Sequence, residues 1–141
     1  ANKFNVFYHD KKILAEENEL LEIARVVGQD VLSENKKLII EIARIIRIGF
    51  LQQSALNLID TAVPIKKQYK MMQTVILLYE KSLKLIEKGI PLSEIKKLGF
   101  FDEYTRLKFE IRNEELEKFD KINTKIKSNF KKIEEEYEEH I

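Results

Sequence analysis

The chain has 141 residues with 44% hydrophobic and 35% charged side chains, enough for one domain with a modest core and too little for two ordinary ones. Its 25 basic and 24 acidic residues leave a formal charge of +1, so no global field draws in nucleic acid or an anionic membrane. Cysteine is absent, which excludes disulfides and thiolate metal sites and fits a reducing, cytoplasmic setting. No apolar run approaches the roughly 18–20 residues of a membrane-crossing helix, and Asn2 to Asn5 lack the basic start and apolar block of a secretory leader. Four glycines and two prolines are too few for the turns of an all-β fold. The expectation is an all-α bundle of about five or six helices in a single domain spanning 1–141.

Residues 1–10 show no clear period and read as an entry arm carrying Phe4, Phe7 and Tyr8. From Lys11 the pattern turns helical. Leu14, Asn18, Leu21 and Arg25 share a row, and Leu20, Ile23, Ala24 and Val27 widen its apolar face. Gly28 should end that helix, because glycine accepts the left-handed backbone favoured there. Ser33 reads as the cap of a second helix, its hydroxyl accepting from a free amide, and Glu34 suits the positive end of the helix dipole. Leu38, Ile39, Ile40, Ile42, Ala43, Ile45 and Ile46 give this helix a face wide enough to be sandwiched.

Gln52, Gln53, Ser54, Asn57 and Asp60 break the pattern, and an irregular segment is expected up to Val63. Pro64 suits the first position of a third helix. There Tyr69, Met72, Ile76, Tyr79, Leu83 and Ile86 make a long seam, ended by Gly89. Pro91 and Ser93 open a short helix over Leu92, Ile95 and Leu98. Asp102 reads as the cap of another through Leu107 and Ile111. A long C-terminal helix is expected over 113–141, with Phe119, Ile122, Ile126, Phe130, Ile133 and Tyr137 on one face. The acids crowding its end oppose the helix dipole and predict fraying.

Self-contained chemistry is missing. There is no Gly-x-x-x-x-Gly-Lys-Ser/Thr or Gly-x-Gly-x-x-Gly loop to cradle a phosphate. His9 and His140 lie near opposite ends without ligand partners, and no Glu-x-x-His pair marks a di-iron site, so no metal is expected. The adjacent acids Glu16-Glu17 and Glu114-Glu115 point apart on a helix and read as solvated, as do the pairs Lys66-Lys67, Lys96-Lys97 and Lys131-Lys132. No basic stripe interleaved with aromatics suggests nucleic acid.

Two stretches resemble a known family. Leu20 to Asn35, with the turn Asp30-Val31-Leu32-Ser33-Glu34-Asn35, resembles the C-terminal helical domain of rotary ATPase catalytic subunits. In the F-type catalytic beta chain that turn reads Asp-Glu-Leu-Ser-Glu-Glu-Asp. Ile42 to Arg47 and Phe50-Leu51-Gln52-Gln53-Ser54-Ala55 look more specifically like the catalytic A-subunit of the archaeal and vacuolar type. That family carries Ile-Arg-Glu-Asp-Phe-Leu-Gln-Gln-Asn-Ala-Phe there. Lys67 to Met72 and the run Tyr79 to Ile90 continue the likeness, which spans about residues 11–110.

The resemblance implies a nucleotide-binding domain upstream that holds ATP and Mg, and no cofactor or catalytic residue within these 141 residues. It implies that Asp30, Val31, Leu32, Ser33, Glu34 and Asn35 meet the central stalk. Val31 and Asn35 replace two acids of the F-type turn, which favours a steric push over an electrostatic one. It implies that Phe50, Gln52, Gln53 and Leu56 lie on the adenine side of the nucleotide, with Leu56 where the family has Phe; leucine buries against a base but cannot stack on it. Ile48-Gly49 stands where the family has Glu-Asp. The B-subunits, the central-stalk subunits and proton or sodium transport complete what the family implies, with the whole head cytoplasmic and peripheral to the membrane. The alternative is a stand-alone helical adaptor that binds a partner helix through the third or last helix.

Overall fold

The structure, a computed structural model, describes residues 3–51 and 65–139, with the side chains of 3–10, Phe50 and Leu51 outside the description. The described residues are all-α, without a strand. α1 spans Lys3–Val27, a 3-10 turn Gln29–Val31, α2 Glu34–Ile46, and a π turn Arg47–Leu51. α3 spans Ile65–Glu87, α4 Leu92–Lys96, α5 Phe100–Tyr104, α6 Leu107–Glu110 and α7 Glu117–Glu139.

The first helix begins at Lys3 rather than Lys11, so the backbone expected as an arm is helical from that residue on. Gly28 ends it with φ 89° and ψ 148°, a positive-φ conformation with extended ψ rather than the left-handed helical one expected. The segment from Gln52 to Pro64 lies outside the described residues.

α2 is buried along Leu38, Ile39, Ile42, Ala43, Ile45 and Ile46, and it touches α1, α3, α4 and α5, which makes it the sandwiched helix its wide face predicts. α3 is the other central element, lying against α1 and α2 on one side and α7 on the other. Contact on two sides explains why its deepest stripe is Met71, Val75, Leu78, Ser82 and Leu85. In the expected seam Met72 and Ile76 are buried, while Tyr69, Tyr79, Leu83 and Ile86 are only partly covered.

α3 ends in a paired cap. Ile90 N–H donates to Leu85 O at 3.1 Å and Gly89 N–H to Ile86 O at 2.9 Å. Gly89 takes φ 96° to permit it, and both Leu85 and Ile90 are buried.

Beyond it the backbone breaks more often than the sequence suggests. The helix expected from Asp102 through Ile111 is two pieces, and the residue preceding the first is Gly99, with Asp102 inside the first turn. Tight bonds at the break, Arg106 N–H to Glu103 O and the Thr105 hydroxyl to Asp102 O, take carbonyls that a continuous helix would use.

α7 runs parallel to α3 in a register fixed by cross-links. Lys70 meets Asp120 at 3.1 Å, the Thr74 hydroxyl donates to Asn123 Oδ1 at 2.8 Å, and Lys88 pairs with Glu134 and Glu138. Phe119, Ile126 and Phe130 are buried on the expected face. The acids at its end do not simply repel, because Lys88 neutralises two of them, and the helix runs to Glu139. It starts at Glu117 rather than 113.

The result is a bundle with two distinguishable ends. At one end lie the α1–α2 turn, the α3 cap and the start of α4, joined where Glu34 Oε2 accepts from Leu92 N–H at 2.9 Å. At the other lie the π turn, the start of α3 and α6.

Candidate functional site

The α1–α2 turn, the expected stalk contact, is held from beneath and bare above. Leu32 is buried and anchors it, while Asp30, Val31, Ser33 and Asn35 are exposed. Ser33 occupies the cap position in extended conformation, but its hydroxyl donates to Asn35 Oδ1 at 2.5 Å instead of accepting from an amide. Its carbonyl accepts the Lys36 and Lys37 N–H groups. Glu34 is engaged internally, with Leu92 N–H and with Lys37 at 3.5 Å, so its charge is tied to the fold.

Beside this turn several apolar side chains stand exposed among polar ones. Val26 is 84% exposed, Val31 70%, Val27 49% and Ile23 47%. The sequence places Ile23 and Val27 on the core-facing side of α1; the structure turns both half out to solvent. The core side of α1 is instead Ile13, Glu17 and Leu20, spaced four and three residues apart.

At the opposite end the expected adenine-side residues are only partly described. Phe50 belongs to the π turn, its side chain outside the description, and Gln52, Gln53 and Leu56 lie outside the described residues. What surrounds the π turn is closely built. A Cβ at Gly49 would stand 3.1 Å from the Tyr104 ring and 3.2 Å from Thr105 Cα, a tight fit that glycine relieves. The Tyr104 hydroxyl donates to Met71 O at 3.0 Å, locking that ring against α3. Arg47, the first residue of the turn, pairs with Glu17 of α1.

Two residues read as solvated are buried here. Glu17 is 3% exposed, and the Arg47 guanidinium compensates its carboxylate. Lys67 is fully buried, and its ammonium donates to Lys108 O at 2.7 Å and to Ile111 O, satisfying carbonyls at the end of α6. Burial, and then the nearby Lys108 charge, hold the Lys67 ammonium below its usual pKa. Ile48, Ile65 and Phe109 are exposed apolar side chains at this same end.

Among the described residues no group of three His, Cys, Asp or Glu side chains could hold a metal ion. No helix among them is long and apolar enough to cross a membrane.

The comparisons with known proteins agree with one another. Residues 6–96 match the family described as the C-terminal domain of V and A type ATP synthase. Similar proteins include the V-type ATP synthase alpha chain 2 of Clostridium tetani, 43% identical over 126 residues, covering 89% of this chain and 21% of that one. The V-type ATP synthase alpha chain of Halothermothrix orenii is 41% identical over 128 residues, 91% of this chain and 22% of that one. The A-type ATP synthase A-subunit of Methanopyrus kandleri is 42% identical over 125 residues, 89% of this chain and 21% of that one. The chain therefore spans about a fifth of the length of these relatives. On the family match and this identity, the chain belongs to the family of C-terminal domains of V and A type ATP synthases.

Proposed function

We propose that this domain is the mechanical part of a V/A-type catalytic A-subunit. In this reading ATP and Mg bind in an upstream nucleotide-binding domain, and the bundle converts their binding, hydrolysis or synthesis into rotation of a central stalk. Rotation in turn moves protons or sodium ions through a membrane rotor. The domain works beside the B-subunits in a cytoplasmic head peripheral to the membrane, and these 141 residues alone do not turn over ATP.

The observation that carries the reading is the apolar tip. Clustered exposed apolar side chains mark interaction sites, and Ile23, Val26, Val27 and Val31 are exposed within nine residues of sequence at the turn Asp30–Asn35. With Glu34 tied to Leu92 N–H and Leu32 buried, the side chains the turn itself offers a stalk are Gln29, Asp30, Val31, Ser33 and Asn35, with the exposed valines and the Glu22–Arg25 pair of α1 beside them. A steric push by a rigid helical corner follows better from this surface than attraction between charges.

The other end supports the second half of the reading. Phe50 begins the stretch Phe50, Gln52, Gln53, Leu56 assigned to the adenine side, and the π turn that presents it is fixed by Gly49 and Arg47. Ile48, Ile65 and Phe109 give that end the apolar surface an upstream domain would cover.

The test is to place V26S and V31S together in the full-length protein within its assembled complex. Ions moved per ATP hydrolysed should fall severalfold while the complex still assembles. An unchanged ratio would refute the stalk contact at this tip.

A further inference from the structure

The core face of α1 carries one residue that packing does not explain. Glu17 sits between Ile13 and Leu20, one turn from each, and is 3% exposed. A carboxylate there loses its hydration, and an apolar residue of similar volume would serve the core at least as well. Its partner Arg47 is 45% exposed and stands where the hydrogen-bond register of α2 changes. The Arg47 N–H is shared between Ala43 O and Arg44 O, and the π turn follows at once. Such turns recur at functional sites because their register can readjust.

We infer that the ion pair between buried Glu17 and half-exposed Arg47 is the strut that carries movement of the π turn to the valine tip, with both side chains acting as positioning residues. The inference rests on the proposed function, in which the π turn faces the nucleotide and the tip faces the stalk. From Glu17, α1 continues unbroken for ten residues to Val27, about 15 Å along the helix axis. A helix of that length moves as one body. The apolar contacts between α1 and α2 are close-packed and transmit displacement too, but they make no directional bond between the helices. The Arg47–Glu17 ion pair adds a specific attachment between the π turn and α1 to that packing. It therefore makes α1 follow Arg47 along its axis, and the tip follows α1.

The experiment uses the full-length protein in its assembled complex. Two forms separate positioning from packing. The double variant Glu17→Leu with Arg47→Leu replaces both charges by apolar side chains, which keeps the core covered. Glu17→Gln keeps the shape but removes the charge. The readout is ions moved per ATP hydrolysed, with the melting temperature measured in parallel.

The strut predicts at least a threefold fall in that ratio for the double variant, at a melting temperature within a few degrees of the parent, and a smaller fall for Glu17→Gln. If the double variant does not assemble, the Glu17→Gln ratio decides alone. An unchanged ratio, a parallel loss of hydrolysis and transport, or loss of hydrolysis altogether overturns the strut and leaves the pair structural. V26S with V31S, run alongside, separates the two ideas. If that tip variant lowers the ratio and the strut variants do not, the strut is wrong and the proposed function stands. If neither lowers it, both fall.

Discussion

The two ends of this bundle are built to opposite rules. At the π-turn end, charged side chains are buried: Lys67 caps α6 and Glu17 pairs with a half-exposed Arg47, while Gly49 admits the Tyr104 ring. At the tip, apolar side chains stand in solvent with little over them, Val26 at 84% and Val31 at 70% exposure. Polar groups inside and apolar groups outside both run against the usual partition. The first arrangement makes a rigid platform, because each buried polar group constrains several elements at once. The second leaves surface for something else to touch. The proposed function uses both, a closely built frame at one end and a surface that meets a partner at the other.

Between the two ends lies the core that joins them, and the largest effect is expected there. Ile42 is fully buried on the sandwiched α2. Ile42→Ala should cost about 2–5 kcal/mol, the range for large-to-small changes in a core that cannot collapse. Chemical denaturation of the 141-residue chain measures it; a loss below about 1 kcal/mol would mean that α2 is not packed on both sides. Next comes Lys67→Met. It keeps the stem but removes the ammonium that donates to Lys108 O and Ile111 O, and should cost about 2–3 kcal/mol as buried carbonyls lose that donor. A neutral outcome would show that water replaces the ammonium. Gly49→Ala should cost about 1–3 kcal/mol, because the added methyl meets the Tyr104 ring and Thr105 backbone. Adding Tyr104→Ala should make Gly49→Ala cheaper, and strict additivity would place the clash elsewhere.

These sites show where the sequence was legible. The wide face of α2 and the Phe119, Ile126, Phe130 face of α7 follow from helical periodicity alone, since apolar residues at that spacing have one way to be buried. The resemblance of Leu20–Asn35 and of Phe50–Ala55 pointed to the family that residues 6–96 match. Glu17 and Lys67 were not legible, because charged side chains are normally solvated and their partners, Arg47 and the α6 carbonyls, are 30 and more than 40 residues away. The break between α5 and α6 was hidden too, since Phe101, Tyr104, Leu107 and Ile111 keep helical spacing across it and all are buried. At the tip, periodicity assigned Ile23 and Val27 to the core because hydrophobicity alone cannot tell a face that packs on its own chain from one that packs on another.

A smaller effect concerns the charges that fix α7 against α3 near the tip. The hydrogen bond from Lys88 holds the Glu134 carboxyl below its usual 4.5, and the bonds to Glu134 and Glu138 hold the Lys88 ammonium above its usual 10.5. A depressed acid stabilises above 4.5 and loses that contribution as pH falls through its folded value. A raised base stabilises below 10.5 and loses it as pH rises through its own folded value. Stability from this cluster should therefore be flat between those limits and fall on both sides. Lys88→Met should remove that dependence, and adding salt should mimic it partly, since the groups are near the surface. A variant whose pH profile matches the parent would assign acid and alkaline loss to other groups.

The smallest change in stability is expected at the residue whose exposure is greatest. Val26 touches little of its own fold, so V26S exchanges one solvated side chain for another and should stay within about 0.5 kcal/mol. Serine is also no worse than valine in a helix, so intrinsic propensity does not oppose the change. Paired with Ile42→Ala, it tests the contrast between the two kinds of apolar residue. Ile42 should dominate unfolding of the isolated chain and say nothing about a partner. Val26 should be silent in unfolding and felt only in the assembled complex. If V26S instead destabilises the isolated chain by more than about 1 kcal/mol, the valine is packed in solution. The tip would then be part of the core and not a surface kept for a stalk.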